Sequence, residues 1–231
     1  MRILFLHHFP ERESLAGRWL VRWALALAGA GHDVRQLVVD ANRVGDESLP
    51  GGSLPVDRVV CDPLEPTAEL KLDLPRFSQA SAAGASARFH QLTDDELNAY
   101  RDVLRRRMDA HIDRFDPHVL HADHAWVLGQ LALESGVPYV LNAWGPELVD
   151  ARLDARYFPL AEQAAANAGR ILVPDVQTLA EVERTFETEP GRTVVASAAL
   201  SSDSPTDAKA AAIELAALYQ ALLDERFGPT S

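Results

Sequence analysis

The sequence predicts a single α/β domain, a Rossmann-like, doubly wound parallel sheet with a C-terminal helix packed back on it. Short apolar runs alternate with helical stretches along most of the chain, which is typical of parallel strands joined by right-handed helical crossovers. The 231 residues, 47% of them hydrophobic, suffice for one large core. We therefore expect a domain over 1–200, a Ser/Asp/Pro-rich hinge at 201–205 and a terminal helix within 206–228.

The chain opens with a βαβ unit. The apolar run RILFL predicts a strand buried on both faces, and a helix follows from Gly17 to Ala30. The helical spacing of its apolar residues predicts a buried face made of Leu20, Trp23, Ala24 and Leu27. Gly31 supplies a left-handed stop before the strand HDVRQLVV.

A loop-rich region and a long helix come next. Residues 41–92 are rich in Pro, Gly, Ser and Ala, and their number predicts a functional flap with one short strand at DRVVC. Thr93 and Glu96 then form a capping-box pattern that starts a helix running to about Arg114. Its buried face is predicted to consist of Leu97, Tyr100, Leu104, Met108 and Ile112.

The rest of the chain continues the alternation of strands and helices. Strands are predicted at HVLHA, PYVLNA, RILVPD and RTVVASAAL, and helices at AWVLGQLALESG, at 156–168 and at VQTLAEVERTF. The terminal helix is predicted from Ala208 to Phe227. Its large apolar side chains are too many to leave in water, so it should pack on the domain through Ile213, Leu215, Leu218, Leu222 and Leu223.

Composition excludes several classes of protein. The 34 acidic residues outnumber the 22 basic ones, and a net charge of −12 repels the phosphates of nucleic acid, which is not an expected partner. Cys61 is the single cysteine, so no intrachain disulfide framework is expected and a reducing compartment is favoured. No apolar run approaches the ~20 residues of a membrane span, and the first one ends at Leu6. The protein is therefore expected to be soluble and cytoplasmic.

Polar and aromatic residues follow the predicted strands, at the edge where open parallel sheets bind ligands. The candidate ligand-binding and catalytic residues at this edge are His7, His8, His121, Asp123, His124, Asn142, Trp144, Gly145, Glu147 and Asp175. Carbohydrate sites combine an aromatic face with carboxylate and imidazole partners, so we expect a cleft for a small polar or sugar-like ligand. The alternative is that Trp144 caps the core and the histidines only satisfy loop carbonyls.

Three of these residues are candidate catalytic bases. Asp123, His124 and His8 could each reach a ligand hydroxyl, and the ordinary pKa of histidine lies near neutrality. The segment HADH has close imidazole and carboxylate spacing, but its side chains diverge where strand turns into helix, so no metal site is expected. A nucleophilic triad is disfavoured, because no serine lies in a G-x-S-x-G elbow.

A weak anion-binding signal precedes the first helix. The segment SLAG, with Ser14 and Gly17, would direct backbone N–H groups at an anion such as a phosphate. Because it contains one glycine only, a simple capping turn is the alternative interpretation.

The order of these motifs resembles the N-terminal domain of family 4 glycosyltransferases of the GT-B fold, enzymes made of two facing Rossmann-like domains. The opening MRILFLHHFPERES…VRWALALAGAGHDVRQL is similar to the first βαβ unit of that family. The segment FDPHVLHADHAWVLGQLALESGVPYVLNAWGPEL is similar to one in which members carry PDVIHAHHLW and TxHGTEL. AGRILVPDVQTLAEVERTF is similar to the segment before the interdomain crossing. The resemblance covers 1–200 and implies half of a GT-B fold.

The chain departs from the family pattern in three places. Ser14 and Leu15 stand where the family has a Gly-Gly turn that contacts the donor phosphates. Trp144 precedes Gly145 where many members have histidine before that glycine. The donor-binding domain, which would take about 150 further residues, is absent from the sequence, and Leu200 runs almost directly into what resembles the helix that returns from it.

The resemblance implies a glycosyltransferase of the hexosyltransferase type that supplies the acceptor-side half. It would act with a donor-domain partner protein or a second copy, with a nucleotide sugar as co-substrate and no permanently bound cofactor. The rim normally shielded by the second domain also predicts a homo-oligomer. Two alternatives are a single-domain enzyme recruited to other acid/base chemistry on a small metabolite and a non-catalytic binding or scaffold protein.

Overall fold

Seven parallel strands form one sheet in the computed structural model, which describes residues 1–8, 15–41, 54–77, 88–201 and 207–228. In chain order they are β1 (Arg2–His7), β2 (Asp33–Asp40), β3 (Val56–Val60), β4 (Val119–Asp123), β5 (Tyr139–Asn142), β6 (Arg170–Val173) and β7 (Thr193–Val195). Their spatial order is β3-β2-β1-β4-β5-β6-β7. The chain therefore builds outward from β1, returns to its other side at β4 and continues, which is the doubly wound arrangement predicted from the sequence.

Helices cover both faces of this sheet. They are α1 (Leu15–Gly29), α2 (Asp94–Phe115), α3 (Gln130–Ser135), α4 (Pro146–Leu153), α5 (Phe158–Asn167), α6 (Val176–Phe186), α7 (Ala198–Ser201) and α8 (Ala208–Phe227). One core cluster packs α2, α3 and α5 against the sheet, and a second packs α1 and α8 against the opposite face. Within the described ranges, no helix is long and apolar enough to cross a membrane.

The capping box at the start of α2 is confirmed. The backbone N–H of Glu96 donates to Oγ1 of Thr93 at 3.3 Å, and the backbone N–H of Thr93 donates to Oε2 of Glu96 at 2.8 Å. The negative first turn also complements the helix dipole. This local signal sets the start of the helix whose buried side chains cover the central strands.

The terminal helix α8 has the predicted bounds but a different buried face. Its buried residues are Ala211, Ala212, Leu215, Tyr219 and Leu222. Ile213, predicted to be packed, is 61% exposed, whereas Leu218 and Leu223 are partly buried. The prediction selected large apolar residues, but this helix packs through alanines, and the phase set by Ala212, Leu215 and Tyr219 points Ile213 into solvent.

Close packing fixes the position of α8 on the sheet. A Cβ atom at Gly169, just before β6, would collide with the side chain of Leu222. The indole N–H of Trp23 on α1 donates to the backbone carbonyl of Leu200 at 3.0 Å, which ties the segment before α8 to the same face. The expected return of the C-terminal helix onto the domain is confirmed.

Several segments differ from the predicted elements. RTVVASAAL is a strand only over Thr193–Val195, and its end forms α7. AWVLGQLALESG divides into a wide turn over Ala125–Gly129 and the short helix α3. The helix α4 was not predicted, although Pro at its first position is a helix-start signal. Most of the hinge, much of the predicted flap and Ser14 lie outside the described residues.

Candidate functional site

Four side chains meet at the edge of the sheet where its strand order reverses. Asp123 ends β4 and His124 follows it, whereas Trp144 and Glu147 lie just after β5, at the start of α4. Because β1, β4 and β5 are neighbouring parallel strands, their carboxyl ends present these residues together. We call Asp123, His124, Trp144 and Glu147 the four-residue ring.

The contacts of the ring close on themselves. His124 Nε2 lies 3.2 Å from Asp123 Oδ2, and His124 Nδ1 lies 3.3 Å from Glu147 Oε2. Trp144 donates its indole N–H to Asp123 Oδ1 at 2.5 Å and its backbone N–H to Glu147 Oε1 at 2.8 Å. Asp123 Oδ1 and Glu147 Oε1 each accept a hydrogen bond from Trp144, and the other two carboxylate oxygens face His124 at ion-pair distance.

The ring holds a buried positive charge between two negative ones. Burial opposes charging of His124, but the Asp123 and Glu147 carboxylates raise its pKa to about 10. Burial likewise favours the neutral form of Asp123, but the charge of His124 lowers the pKa of that carboxyl below its ordinary value. At neutral pH His124 is accordingly an imidazolium.

The backbone at His124 is strained. Its φ of 70° with ψ of 142° lies in a region that residues with a Cβ atom seldom adopt, and such conformations cost on the order of 1–3 kcal/mol. Gly145, with φ of 106°, makes the second sharp turn, for which glycine is well suited. These two turns bring His124 and Glu147 close enough to form an ion pair.

His8 stands beside the ring in an aromatic environment. Its imidazole stacks on that of His124 with 6.0 Å between ring centroids, and the rings of Phe77, Phe89 and Tyr100 lie within 6.2 Å. Burial first, and the charge of His124 second, lower the pKa of His8 to about 3. His8 is therefore neutral at physiological pH, where so low a pKa makes it a weak base.

His121 and Asn142 lie beneath the ring and serve the core. His121 Nε2 is 2.9 Å from Asn142 Oδ1, and its Nδ1 is 2.5 Å from the hydroxyl of Tyr219 on α8. Burial lowers the pKa of His121 to about 4, so the neutral imidazole donates from Nε2 and accepts at Nδ1. His7, in β1, pairs its Nε2 with Gln36 Oε1 at 3.2 Å.

Two further candidate residues are not members of the ring. Asp175 is exposed and caps α6, where its carboxylate accepts the backbone N–H of Thr178 at 2.7 Å. Gly17 is buried inside the first turn of α1. In the described part of the chain, no group of three or more His, Cys, Asp or Glu side chains is arranged to hold a metal ion.

Sequence reasoning missed the aromatic residues around the ring. Trp19 on α1 meets Trp144 edge-on, with 5.3 Å between ring centroids, and Phe77 lies 4.5 Å from the ring of His124. Trp19 was placed on a helix without a role, and Phe77 and Phe89 fell in the loop-rich region. The sequence did contain a signal for them, since Phe77 and Phe89 are large apolar side chains in a region otherwise rich in small residues.

Comparisons with known proteins agree with this fold. The family model described as "Glycosyl transferase 4-like domain" matches residues 16–199. One chain of sucrose-phosphate synthase from Thermosynechococcus elongatus aligns with a TM-score of 0.54 and 15% identity, over 96% of this chain and 99% of that one. A longer chain of the same enzyme aligns with a TM-score of 0.55 and 13% identity, over 83% and 47%. No curated protein shows a significant sequence match.

A third structure extends the likeness. UDP-GlcNAc 2-epimerase from Neisseria meningitidis, bound to UDP-GlcNAc, aligns with a TM-score of 0.51 and 9% identity, over 98% of this chain and 53% of its own. This chain thus spans about half the length of that enzyme and of the longer synthase chain. At such identities the structures establish the fold alone, whereas the family model covers most of the sequence. The chain belongs to the glycosyl transferase 4-like family.

Proposed function

We propose that this chain is the acceptor-side half of a sugar-transferring enzyme and binds a sugar-like or small polar acceptor at the four-residue ring. The observation that carries the proposal is the position of the ring at the switch between β1 and β4, where doubly wound sheets bind ligands. Membership of the glycosyltransferase family supports it. The donor nucleotide sugar is held by a partner protein or by a second copy of the chain.

The ring suits recognition of a hydroxyl group. Carboxylate oxygens accept hydrogen bonds from hydroxyls, and an indole face packs on the apolar side of a sugar ring. Asp123 and Glu147 supply the first feature and Trp144 the second. Trp19 is buried and packs edge-on against Trp144.

We assign the general base to Asp123. In the transfer, the acceptor oxygen bonds to the sugar carbon of the donor, the bond from that carbon to the phosphate oxygen breaks, and the nucleotide leaves with its phosphate. The acceptor proton passes to Asp123, and neutral His8 is the second group that could take it. His124 is an imidazolium between two carboxylates, so it acts by its charge and not as the base.

Paired aspartate variants test the proposal. Saturation-transfer NMR would measure binding of neutral methyl glycosides, and a nucleotide-release assay would measure transfer with and without a donor-domain protein. Asp123→Ala is expected to abolish both signals while circular dichroism remains native. Asp175→Ala is the control, because it removes an exposed helix cap worth about 1 kcal/mol and leaves the ring intact. Undiminished binding and transfer in Asp123→Ala would place the site elsewhere.

A second candidate is a non-catalytic binding protein. It is favoured by the closure of the ring, since all four carboxylate oxygens have partners within it and the charges stabilise the fold. This candidate predicts glycoside binding without release of nucleotide under any combination of partners. A recruited single-domain enzyme, in contrast, predicts turnover by the pure chain.

A further inference from the structure

We infer that Trp144 is the gate of this site: its indole N–H occupies the Asp123 oxygen that the acceptor hydroxyl takes, so the ligand must displace the indole to bind. The inference rests on the proposed function and adds a residue that determines access. It also explains how a ring whose contacts are closed can receive a ligand.

The two bonds made by Trp144 differ in mobility. The bond to Glu147 Oε1 comes from the backbone N–H and is fixed by the turn at Gly145. The bond to Asp123 Oδ1 comes from the indole, which can turn about its side-chain torsions without moving the backbone. Asp123 is therefore the carboxylate that side-chain rotation can uncover.

The exposed fractions of the ring residues also distinguish Trp144 from the other three. Asp123 and Glu147 are each 1% exposed and His124 is 3% exposed. Of the four ring residues, Trp144 alone is partly exposed. Rotation of the indole uncovers Asp123 and leaves both contacts of His124 with the carboxylates in place.

Trp19 provides a matched comparison for this gate. It packs against Trp144, but its own indole Nε1 is buried and has no hydrogen-bond partner among the described residues. Trp19→Phe and Trp144→Phe thus make the same chemical change in one aromatic pair. The first leaves the bond to Asp123 in place, whereas the second removes it.

NMR of the indole N–H groups tests the resting state of the gate without any ligand. The chain has four tryptophans, and the signal absent from Trp144→Phe identifies Trp144. In Asp123→Ala that signal is expected to move upfield and exchange faster with water, whereas in Glu147→Ala it should stay in place. An unchanged Trp144 signal in Asp123→Ala overturns the inference. If that variant does not fold, rapid exchange of the Trp144 N–H in the wild-type chain overturns it equally.

Binding of neutral methyl glycosides tests the displacement itself. Trp144→Phe keeps an aromatic ring and removes the competing donor, so it is expected to bind the glycosides about three- to tenfold more tightly, the equivalent of one hydrogen bond. Trp19→Phe should bind within about twofold of wild type. Weaker binding by Trp144→Phe contradicts the gate. Absence of glycoside binding by wild type contradicts the proposed function, and the indole signals in Asp123→Ala then decide the gate alone.

Discussion

Tyr219 of the C-terminal helix reaches the centre of the sheet, where its hydroxyl lies 2.5 Å from Nδ1 of His121. His121 continues the contact to Asn142 on the neighbouring strand. All three side chains are completely buried. One buried polar chain therefore links α8 to the two strands that end at the four-residue ring.

Loss of the Tyr219 hydroxyl should destabilise the fold. Tyr219→Phe leaves Nδ1 of His121 buried without a partner, which costs about 1–3 kcal/mol. Ile213→Ala on the exposed side of the same helix should change the free energy of unfolding by less than about 0.5 kcal/mol. Urea denaturation of both variants measures the difference, and equal effects would contradict the role given to Tyr219.

Deletion of 206–231 should destabilise or insolubilise the protein. The deletion exposes the face of α1 and the sheet that Leu215, Tyr219 and Leu222 cover, and each buried leucine alone contributes about 1.5–3 kcal/mol. The free energy lost with these three side chains together is comparable with the whole free energy of unfolding of a domain, ~5–15 kcal/mol. A soluble deletion variant with an unchanged melting temperature would refute the prediction.

Alanine at two glycines should have opposite consequences. Gly169→Ala places a methyl group against Leu222 and should cost about 1–3 kcal/mol by overpacking. Gly29→Ala, at the end of α1, meets no atom within 4 Å and should be neutral or stabilising by up to about 1 kcal/mol. Thermal unfolding compares the two, and a neutral Gly169→Ala would contradict the close docking of α8.

Stability should be greatest near pH 6.5 as far as the buried histidines determine it. The folded pKa values of His8 and His121, about 3 and 4, lie below the ordinary 6.5, so the unfolded chain binds more protons in acid and stability falls from pH 6.5 towards pH 3. The pKa of His124, about 10, lies above 6.5, so its contribution is complete below pH 6.5 and is lost as the pH rises to 10.

Urea denaturation across pH 4–10 measures this profile. His124→Gln is expected to be less stable at neutral pH and to lose the alkaline decline that His124 causes. An alkaline decline of the same size in the variant would show that other groups produce it.

Self-association stays a prediction from the sequence: the histidines at this edge are buried, and Trp144 is the partly exposed aromatic side chain through which a second copy could pack. Light scattering at micromolar concentration should detect a dimer or larger species. A monomer over the whole concentration range would count against this expectation and would favour a separate donor-domain partner.

Local signals in the sequence predicted most of the fold. Thr93 and Glu96 predicted the start of α2, and the predicted bounds of α8 agree with the structure. The buried face of α8 was partly wrong, because small alanines pack where the prediction sought large side chains such as Ile213. Which face of α8 is buried depends on its contacts with α1 and the sheet. The periodicity of apolar residues within the helix does not identify those contacts.

The sequence predicted which residues lie at the site, but not which of their side chains contact one another. Strand ends placed Asp123, Trp144 and Glu147 at one edge, since parallel strands end together. That His124 lies between two carboxylates, and so differs in charge from His8, depends on the strained turn after β4 and on the unpredicted α4. These are tertiary features, and the sequence alone left the two imidazoles equivalent.

The docking of α8 makes the domain modular at one place. All seven strands precede Ser201, and α8 begins again at Ala208 with contacts to α1 and the sheet made by side chains and close packing. Extra sequence entering the chain between these two points would leave every strand pairing intact. The junction is thus a suitable insertion point for a reporter or a catalytic module. In such a fusion α8 would follow the insert and still pack on the host domain.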